Sequence, residues 1–173
     1  MLKRVLLLIL LILWAAPLFA QSVDTAWVRR YNGPGNDWDA ARAIVVNNSE
    51  SIYVTGMSKG SGTDRDYATI KYNFNGDELW VRRYNGPGNY SDQAFAIVAD
   101  NFGNVYVTGG SESDYVTIKY DSSGNEIWVR RYTPGEVGMA IEVDGSENVY
   151  VTGLNHTIKY DAQGNELWTG EWG

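Results

Sequence analysis

The chain has 173 residues, a formal net charge of −7 and no cysteine. Without cysteine, neither a disulfide framework nor thiolate chemistry is possible, so stability must come from packing. The balance of 21 acidic residues against 14 Lys and Arg disfavours nucleic acid and anionic membranes as partners, because both require concentrated positive charge.

Residues 1–20 have the layout of a secretory signal peptide. Lys3 and Arg4 form a basic start, and Val5–Ala16 is an almost unbroken apolar run. This order predicts cleavage after Ala20 and an exported protein that is periplasmic, extracellular or on the cell surface. If the segment is retained, it would act as a membrane anchor. We expect no other contact with a membrane.

The next feature is a long internal repeat. The sequence W-V-R-R-Y-N-G-P-G-N begins at Trp27 and again at Trp80, and a shorter copy begins at Trp128. The spacing between successive tryptophans of this motif is 53 and 48 residues, then 40 residues to Trp168. Repetition this close is the signature of one supersecondary unit that stacks on its copies.

Each unit contains four short runs rich in Val, Ile, Thr, Tyr and Trp, bounded by turn residues, which predicts four β-strands. In the second unit the first run, Ala94–Ala99, is apolar on both faces and is expected innermost, between neighbouring sheets. The last run, Glu126–Tyr132, carries charge and is expected at the outer edge. The runs between them are Val105–Gly109 and Tyr115–Tyr120. A unit of this kind is typical of a propeller blade.

We therefore expect an all-β protein with one repeat domain over residues 21–173. It is predicted to be an open β-propeller-type array of three four-stranded antiparallel blades, preceded by one extra strand. The predicted outer strand spans 26–32, and the blades span 41–84, 94–132 and 138–171.

The connections are of two kinds. Near copies of D-x-x-G-N, such as Asp100–Asn104 and Asp121–Asn125, join adjacent strands through short turns in which glycine can adopt a positive φ. The other connections vary in length between units. Alternate loops of an antiparallel blade emerge at the same end, so the variable loops share one face, where binding residues usually lie.

The motifs Y-V-T-G, D-Y-A-T-I-K-Y and D-x-x-G-N-E-[LI]-W recur in this order over residues 26–168. They resemble the SBBP repeat, a bacterial β-propeller repeat of exported and surface proteins. The resemblance implies a propeller, with about seven blades in that family, and no shared catalytic residue or cofactor. Closure needs at least about four blades. Three units therefore leave an open arc, a head-to-tail six-blade ring of two chains, or a fragment of a longer propeller.

Two clusters of the repeat are candidates for ligand binding. Stacked Trp and Arg of W-x-R-R-Y could grip a sugar or an acidic ligand, but the motif recurs in every unit, which favours a structural role. The loop residues differ between units, and the predicted ligand-binding residues are Trp38, Asp39, Asp64, Arg65, Tyr90 and Asp92.

The possible metal ligands are the single histidine and the aspartates of the variable loops. His156 aligns with Ala68 and Val116 and is expected to be a strand residue, and with no second His a His-based metal site is excluded. Aspartates on the variable loops could hold Ca²⁺ through oxygen atoms, although no D-x-D-x-D-G spacing is present. These aspartates are Asp37, Asp39, Asp64, Asp66, Asp92 and Asp114.

The sequence favours an exported binding or scaffold module that is not an enzyme and presents its variable loops to a protein or glycan. One alternative is a fragment of a longer propeller without activity of its own. Another is a lyase or hydrolase that uses loop carboxylates, because propellers host enzymes through grafted sites. Head-to-tail self-association of blades is a further expectation, since it would cover the open apolar faces.

Overall fold

A computed structural model describes residues 25–133 and 137–172, and the predicted signal segment lies outside these ranges. No helix in the described ranges is long and apolar enough to cross a membrane. The strands form three four-stranded antiparallel sheets, each following chain order. The strands are β1 (Asp39–Val46), β2 (Ile52–Lys59), β3 (Arg65–Tyr72), β4 (Glu78–Tyr84), β5 (Asp92–Ala99), β6 (Val105–Ser111), β7 (Asp114–Tyr120), β8 (Glu126–Tyr132), β9 (Gly138–Val143), β10 (Val149–Gly153), β11 (His156–Tyr160) and β12 (Glu166–Glu171).

The predicted all-β blade array is confirmed: β1–β4, β5–β8 and β9–β12 form blades one, two and three. The strands reach further into the variable loops than their apolar runs indicated. In blade two the pairing of β5 with β6 continues to Asp92 opposite Ser111, because polar residues can extend a ladder that apolar residues have begun.

The D-x-x-G-N turns form as their sequences predict. In blade two, Asp100 Oδ1 accepts the N–H groups of Phe102 and Asn104, both at 2.9 Å. Gly103 takes a φ of +84°, which costs glycine little because it lacks a Cβ. Asp121 and Asp161 make the same pair of bonds in their own turns.

Each blade packs through one face against the next. Tyr53 and Tyr67 of blade one are fully buried against blade two, where their hydroxyls donate to the carbonyls of Gly103 and Val116, both at 3.2 Å. Strand β5 contacts β1, β2 and β3 on one side and β9 on the other. This confirms that the innermost strand lies between neighbouring sheets.

The Trp and first Arg of W-x-R-R-Y hold adjacent blades together, and we call this pair the Trp-Arg clamp. Trp80 Nε1 donates to Ser122 O at 3.3 Å, and Arg82 Nε donates to Gly124 O at 2.5 Å. Both acceptors lie in the β7–β8 turn of the following blade. The structural interpretation of the motif is confirmed, and the Arg acts through backbone carbonyls of the following blade.

The predicted outer strand at 26–32 is not a strand. No described strand lies beside it to form a hydrogen-bonded ladder, so it carries no regular secondary structure. It is nevertheless docked on blade one by a clamp of the same kind. Trp27 Nε1 donates to Phe74 O at 3.1 Å and Arg29 Nε donates to Gly76 O at 2.6 Å. The segment thus occupies an outer-strand position without the inner strands of its blade.

Candidate functional site

The variable loops of the first two blades form one continuous surface, which we call the variable-loop face. It comprises residues 33–38, 60–64 and 85–91, the connections that lie opposite the D-x-x-G-N turns. Gly35 N–H donates to Lys59 O at 3.1 Å, and Asp64 N–H donates to Asn89 O at 3.4 Å. Because these bonds join three separate loops, residues distant in sequence are brought into one patch.

Trp38 and Arg65 form a stacked pair on this face. The guanidinium carbon of Arg65 lies 5.1 Å from the centroid of the Trp38 ring, a cation–π arrangement. The Trp38 side chain remains 53% exposed. A partly solvated indole beside a cation offers a ligand both an apolar platform and hydrogen-bond donors.

Asp64 lies next to this pair and is held by Lys59, whose Nζ donates to Asp64 Oδ1 at 3.0 Å. That bond is the main cause that lowers the pKa of Asp64, and the nearby charge of Arg65 acts in the same direction. The carboxylate therefore stays ionised at neutral pH. Its exposed ion pair with Lys59 is available to a ligand at little cost, since surface pairs contribute little to stability.

Tyr90 is 68% exposed in the following loop. It follows Asn89, which takes a positive φ of 55° and whose side chain accepts a hydrogen bond from Asn85 Nδ2 at 2.6 Å. Asn36 has the same conformation and the same partner type in the first loop. The two loops therefore share one framework and differ in the residues that follow it.

Asp39 is half-buried and Asp92 is buried, and each binds a backbone amide of its own loop. Asp39 Oδ2 accepts the Gly33 N–H at 2.8 Å, and Asp92 Oδ2 accepts the Gly86 N–H at 2.6 Å. Asp92 is fully buried, and burial raises its pKa against the opposing effect of the Gly86 bond. These carboxylates shape their loops. Of the six predicted ligand-binding residues, three are exposed, two are half-buried and one is buried: Trp38, Asp64 and Tyr90, then Arg65 and Asp39, then Asp92.

A polar junction that the sequence did not reveal supports the loops from below. The second Arg of the repeat, Arg83, donates to Asp66 Oδ2 at 2.8 Å and to Ser58 Oγ at 2.6 Å. It also donates to the Tyr31 hydroxyl at 3.2 Å. The equivalent Arg131 bonds Asp114, Ser111 and Tyr84. The recurrence of Asp before T-I-K-Y together with R-R-Y was the signal that could have revealed this junction.

The aspartates of the variable loops, considered above as Ca²⁺ ligands, do not come together around a common point. Within residues 25–133 and 137–172, no group of three or more His, Asp or Glu side chains is placed to hold a metal ion. Asp66 and Asp114 are engaged by Arg83 and Arg131. The other carboxylates of these loops are bound one by one: Asp64 pairs with Lys59, and Asp39 and Asp92 accept backbone N–H groups.

His156 is a strand residue, as predicted, at the start of β11. Its ring packs near Tyr115 and Tyr132, at centroid distances of 6.5 and 5.4 Å, and its Nε2 lies 3.6 Å from Glu171 Oε1. The side chain is buried between blades two and three, away from the variable loops of blade one.

These features define a class: an open array of β-propeller blades joined by Trp-Arg clamps. Residues 79–115 match the family model of the SBBP beta-propeller repeat. These residues thus correspond to one SBBP repeat within the blade array. The match begins on β4 of blade one and ends on β7 of blade two, so the sequence repeat and the blade are out of phase.

Two solved structures are similar to this chain. A protein of unknown function from Bacteroides caccae is similar at 12% identity and a TM-score of 0.53, over 77% of this chain and 46% of that one. XC5397 from Xanthomonas campestris, described as a gluconolactonase, is similar at 16% identity and a TM-score of 0.47, over 73% of this chain and 45% of that one. The chain spans less than half the length of each. The comparison with curated proteins found no match.

Proposed function

We propose that this protein is an exported recognition module, without catalytic activity, whose variable-loop face binds a glycan or a protein. The observation that carries the proposal is the stacked pair of Trp38 and Arg65, half exposed on a surface whose loops are joined by backbone bonds. Trp, Tyr and Arg are the residues that most often dominate binding energy at interfaces. Tyr90 adds a second exposed aromatic side chain to the same loop surface.

Rigid support beneath the loops favours recognition. Asp39 and Asp92 bind backbone amides, and Arg83 bridges Asp66 to the outer segment at Tyr31. Loops held in one conformation lose less conformational entropy when a ligand binds. The same bonds engage the loop carboxylates that an acid–base mechanism would require, which supports binding over catalysis.

The proposal is tested with the fluorescently labelled full chain on whole cells of the source organism. Trp38→Ala is expected to reduce cell binding at least about tenfold, which is the effect of losing one dominant contact. Phe102→Ala is the matched control, because Phe102 is also an exposed aromatic residue, on a turn at the opposite face. Equal binding by wild type and Trp38→Ala would contradict the proposal.

Treatment of the cells separates the two ligand classes. Periodate oxidation should abolish binding to a glycan, whereas protease treatment should abolish binding to a protein. The location of the native protein follows from fractionation of the source cells, where recovery of the chain in the cytoplasm alone would contradict export.

A further inference from the structure

Blade one leaves partly open to solvent the kind of face that blade two buries. We call this surface, comprising Ile44, Ile52, Val54 and Ile70, the isoleucine-valine face. Its counterparts in blade two pack against blade one, whereas in blade one Ile44 is 65% exposed, Ile52 and Val54 are half-buried and Ile70 is buried. An open groove of about 400 Å³ lies between this face and residues 27–31. A contiguous apolar patch that is partly open to solvent and has a defined rim marks an interaction site.

Blade three presents the complementary face. In blade two, the corresponding surface faces blade three, and there Lys119 Nζ donates to Ala162 O at 3.4 Å. The residues of blade three at the equivalent positions face outward, with no described blade beyond them. We call them the tyrosine-lysine face: Tyr150, Thr152, Thr157 and Lys159. One chain thus carries both halves of the blade interface that it forms twice internally.

The two faces cannot simply be brought together, because the outer-strand position on blade one is already taken. Trp27 and Arg29 clamp the β3–β4 turn, and Tyr31 meets Arg83 at 3.2 Å. Blade three has its own outer strand, β12. When the faces meet, one of the two outer segments must leave.

Strand β12 is the weaker of the two. Gly170 stands where Arg82 and Arg130 supply the clamp, and a glycine inside a strand also weakens it. Trp168 is 45% exposed, whereas Trp80 and Trp128 are 9% and 6% exposed.

The residue after β12, Trp172, lies on the tyrosine-lysine face. Its Nε1 donates to Thr157 Oγ1 at 3.0 Å, and its N–H donates to Asn155 O at 2.7 Å. The ring therefore covers the surface that would have to meet a further blade.

We propose that residues 26–32 of a second copy replace β12, so that blade three is completed in trans and copies associate head to tail. The W-V-R-R-Y segment then pairs with T-I-K-Y of β11, a pairing that the chain makes in blades one and two. In that register Val28 lies opposite Ile158, as Val81 lies opposite Ile70. Trp172 leaves with β12, and the two open faces bury each other. Exchange of an identical element is a low-cost route to oligomers, and the inference does not depend on the proposed ligand.

A pair of cysteine variants tests the exchange, since the chain has no cysteine of its own. Val28→Cys with Ile158→Cys can bridge only different copies, because blade two separates these positions within one chain. Ile158→Cys with Thr169→Cys is the matched control. Those residues face each other in the β11–β12 ladder, so a disulfide there locks β12 in place.

The full chain is expressed with its N-terminal segment, so that any processing occurs naturally, and is oxidised without denaturant. Val28→Cys with Ile158→Cys should give covalent rings of two chains held by two bridges, or larger covalent species, which dithiothreitol converts to single chains, whereas each single variant can give at most a dimer held by one bridge. The locked variant should have the mass of one chain by light scattering. The proposal is overturned if the double variant remains a single chain, or if the native sequence keeps the mass of one chain at about 100 µM.

Discussion

Gly124 of blade two lies directly against the indole of Trp80 in blade one. A Cβ at Gly124 would lie 2.9 Å from Trp80 Cδ2, and the residue also takes a φ of +82°. Gly164 meets Trp128 in the same way at the next junction, with a Cβ distance of 2.9 Å and a φ of +79°. The turn glycine therefore serves two purposes, since it closes the turn and accepts the ring of the preceding blade.

Substitution of this glycine should cost more than backbone strain alone. Gly124→Ala is expected to lower the free energy of unfolding by about 3 kcal/mol, of which about 1 to 2 kcal/mol is left-handed strain and the rest displacement of the ring. Gly62→Ala is the control, because Gly62 has a φ of +90° but nothing within 4 Å of a Cβ. Urea unfolding of both variants checks the difference. Equal losses would mean that the Trp80 contact adds nothing.

The half-buried pair of Arg83 and Asp66 should matter more than the exposed pair of Lys59 and Asp64. The Arg83 and Asp66 side chains are 21% and 7% exposed, with Nη2 and Oδ2 2.8 Å apart. Arg83→Met strands a buried carboxylate and is expected to cost about 2 to 3 kcal/mol. Lys59→Met should leave the unfolding free energy unchanged within error. Thermal and urea unfolding measure both, and a similar small effect in each would refute the prediction.

The aspartate turns predict how stability depends on acid. Bonds from the Asn148 side chain, the backbone amides of the turn and the Tyr150 hydroxyl hold the pKa of Asp144 at about 2, below its ordinary value near 3.8. A pKa that is lower in the folded state stabilises that state at any pH above the pKa of the unfolded chain. This contribution is lost as the pH falls from that value through the folded pKa of about 2. The stability difference between wild type and Asp144→Ala should therefore shrink from pH 5 to pH 2. A difference that is independent of pH in urea titrations would show that the charge plays no part.

Glu50 occupies a turn position with a φ of 57°, a conformation that is strained for any residue with a Cβ. Glu50→Gly is expected to raise the free energy of unfolding by about 0.5 to 1 kcal/mol, because relief of strain exceeds the extra entropy of the unfolded chain. Glu50→Ala retains the strain and should leave stability near that of wild type. If both variants behave alike in urea unfolding, strain at Glu50 is not significant.

The blades were predictable because their signals are local and repeated. Alternating apolar strands and D-x-x-G-N turns specify short hairpins, and comparison of the units aligns them without a structure. The acceptors of Arg82 could not be found in this way, since they are backbone carbonyls 41 and 42 residues further along the chain. A backbone carbonyl has no residue identity for a pattern to detect.

The candidate site was predicted in part. Trp38 and Tyr90 differ from the residues at their positions in the other copy, and both lie exposed on the variable-loop face. Asp39 and Asp92 recur at one position after G-P-G-N, and both bind backbone amides, Asp39 half-buried and Asp92 buried. Like W-x-R-R-Y, these aspartates recur in successive copies, which favours a structural role. Repetition in the sequence distinguishes structural residues from candidate binding residues. How far a side chain is buried under a loop can be seen only in the packed structure.

The offset between sequence repeat and blade makes the array modular in length. Deletion of residues 80–127, one repeat, would join β3 directly to β8 and create a hybrid blade of β1, β2, β3 and β8. Trp128 and Arg130 would still clamp the β11–β12 turn, and T-I-K-Y would again pair with W-V-R-R-Y. Whole blades can therefore be removed or inserted at the tryptophan without a foreign junction, which makes this residue the natural splice point for building shorter or longer arrays.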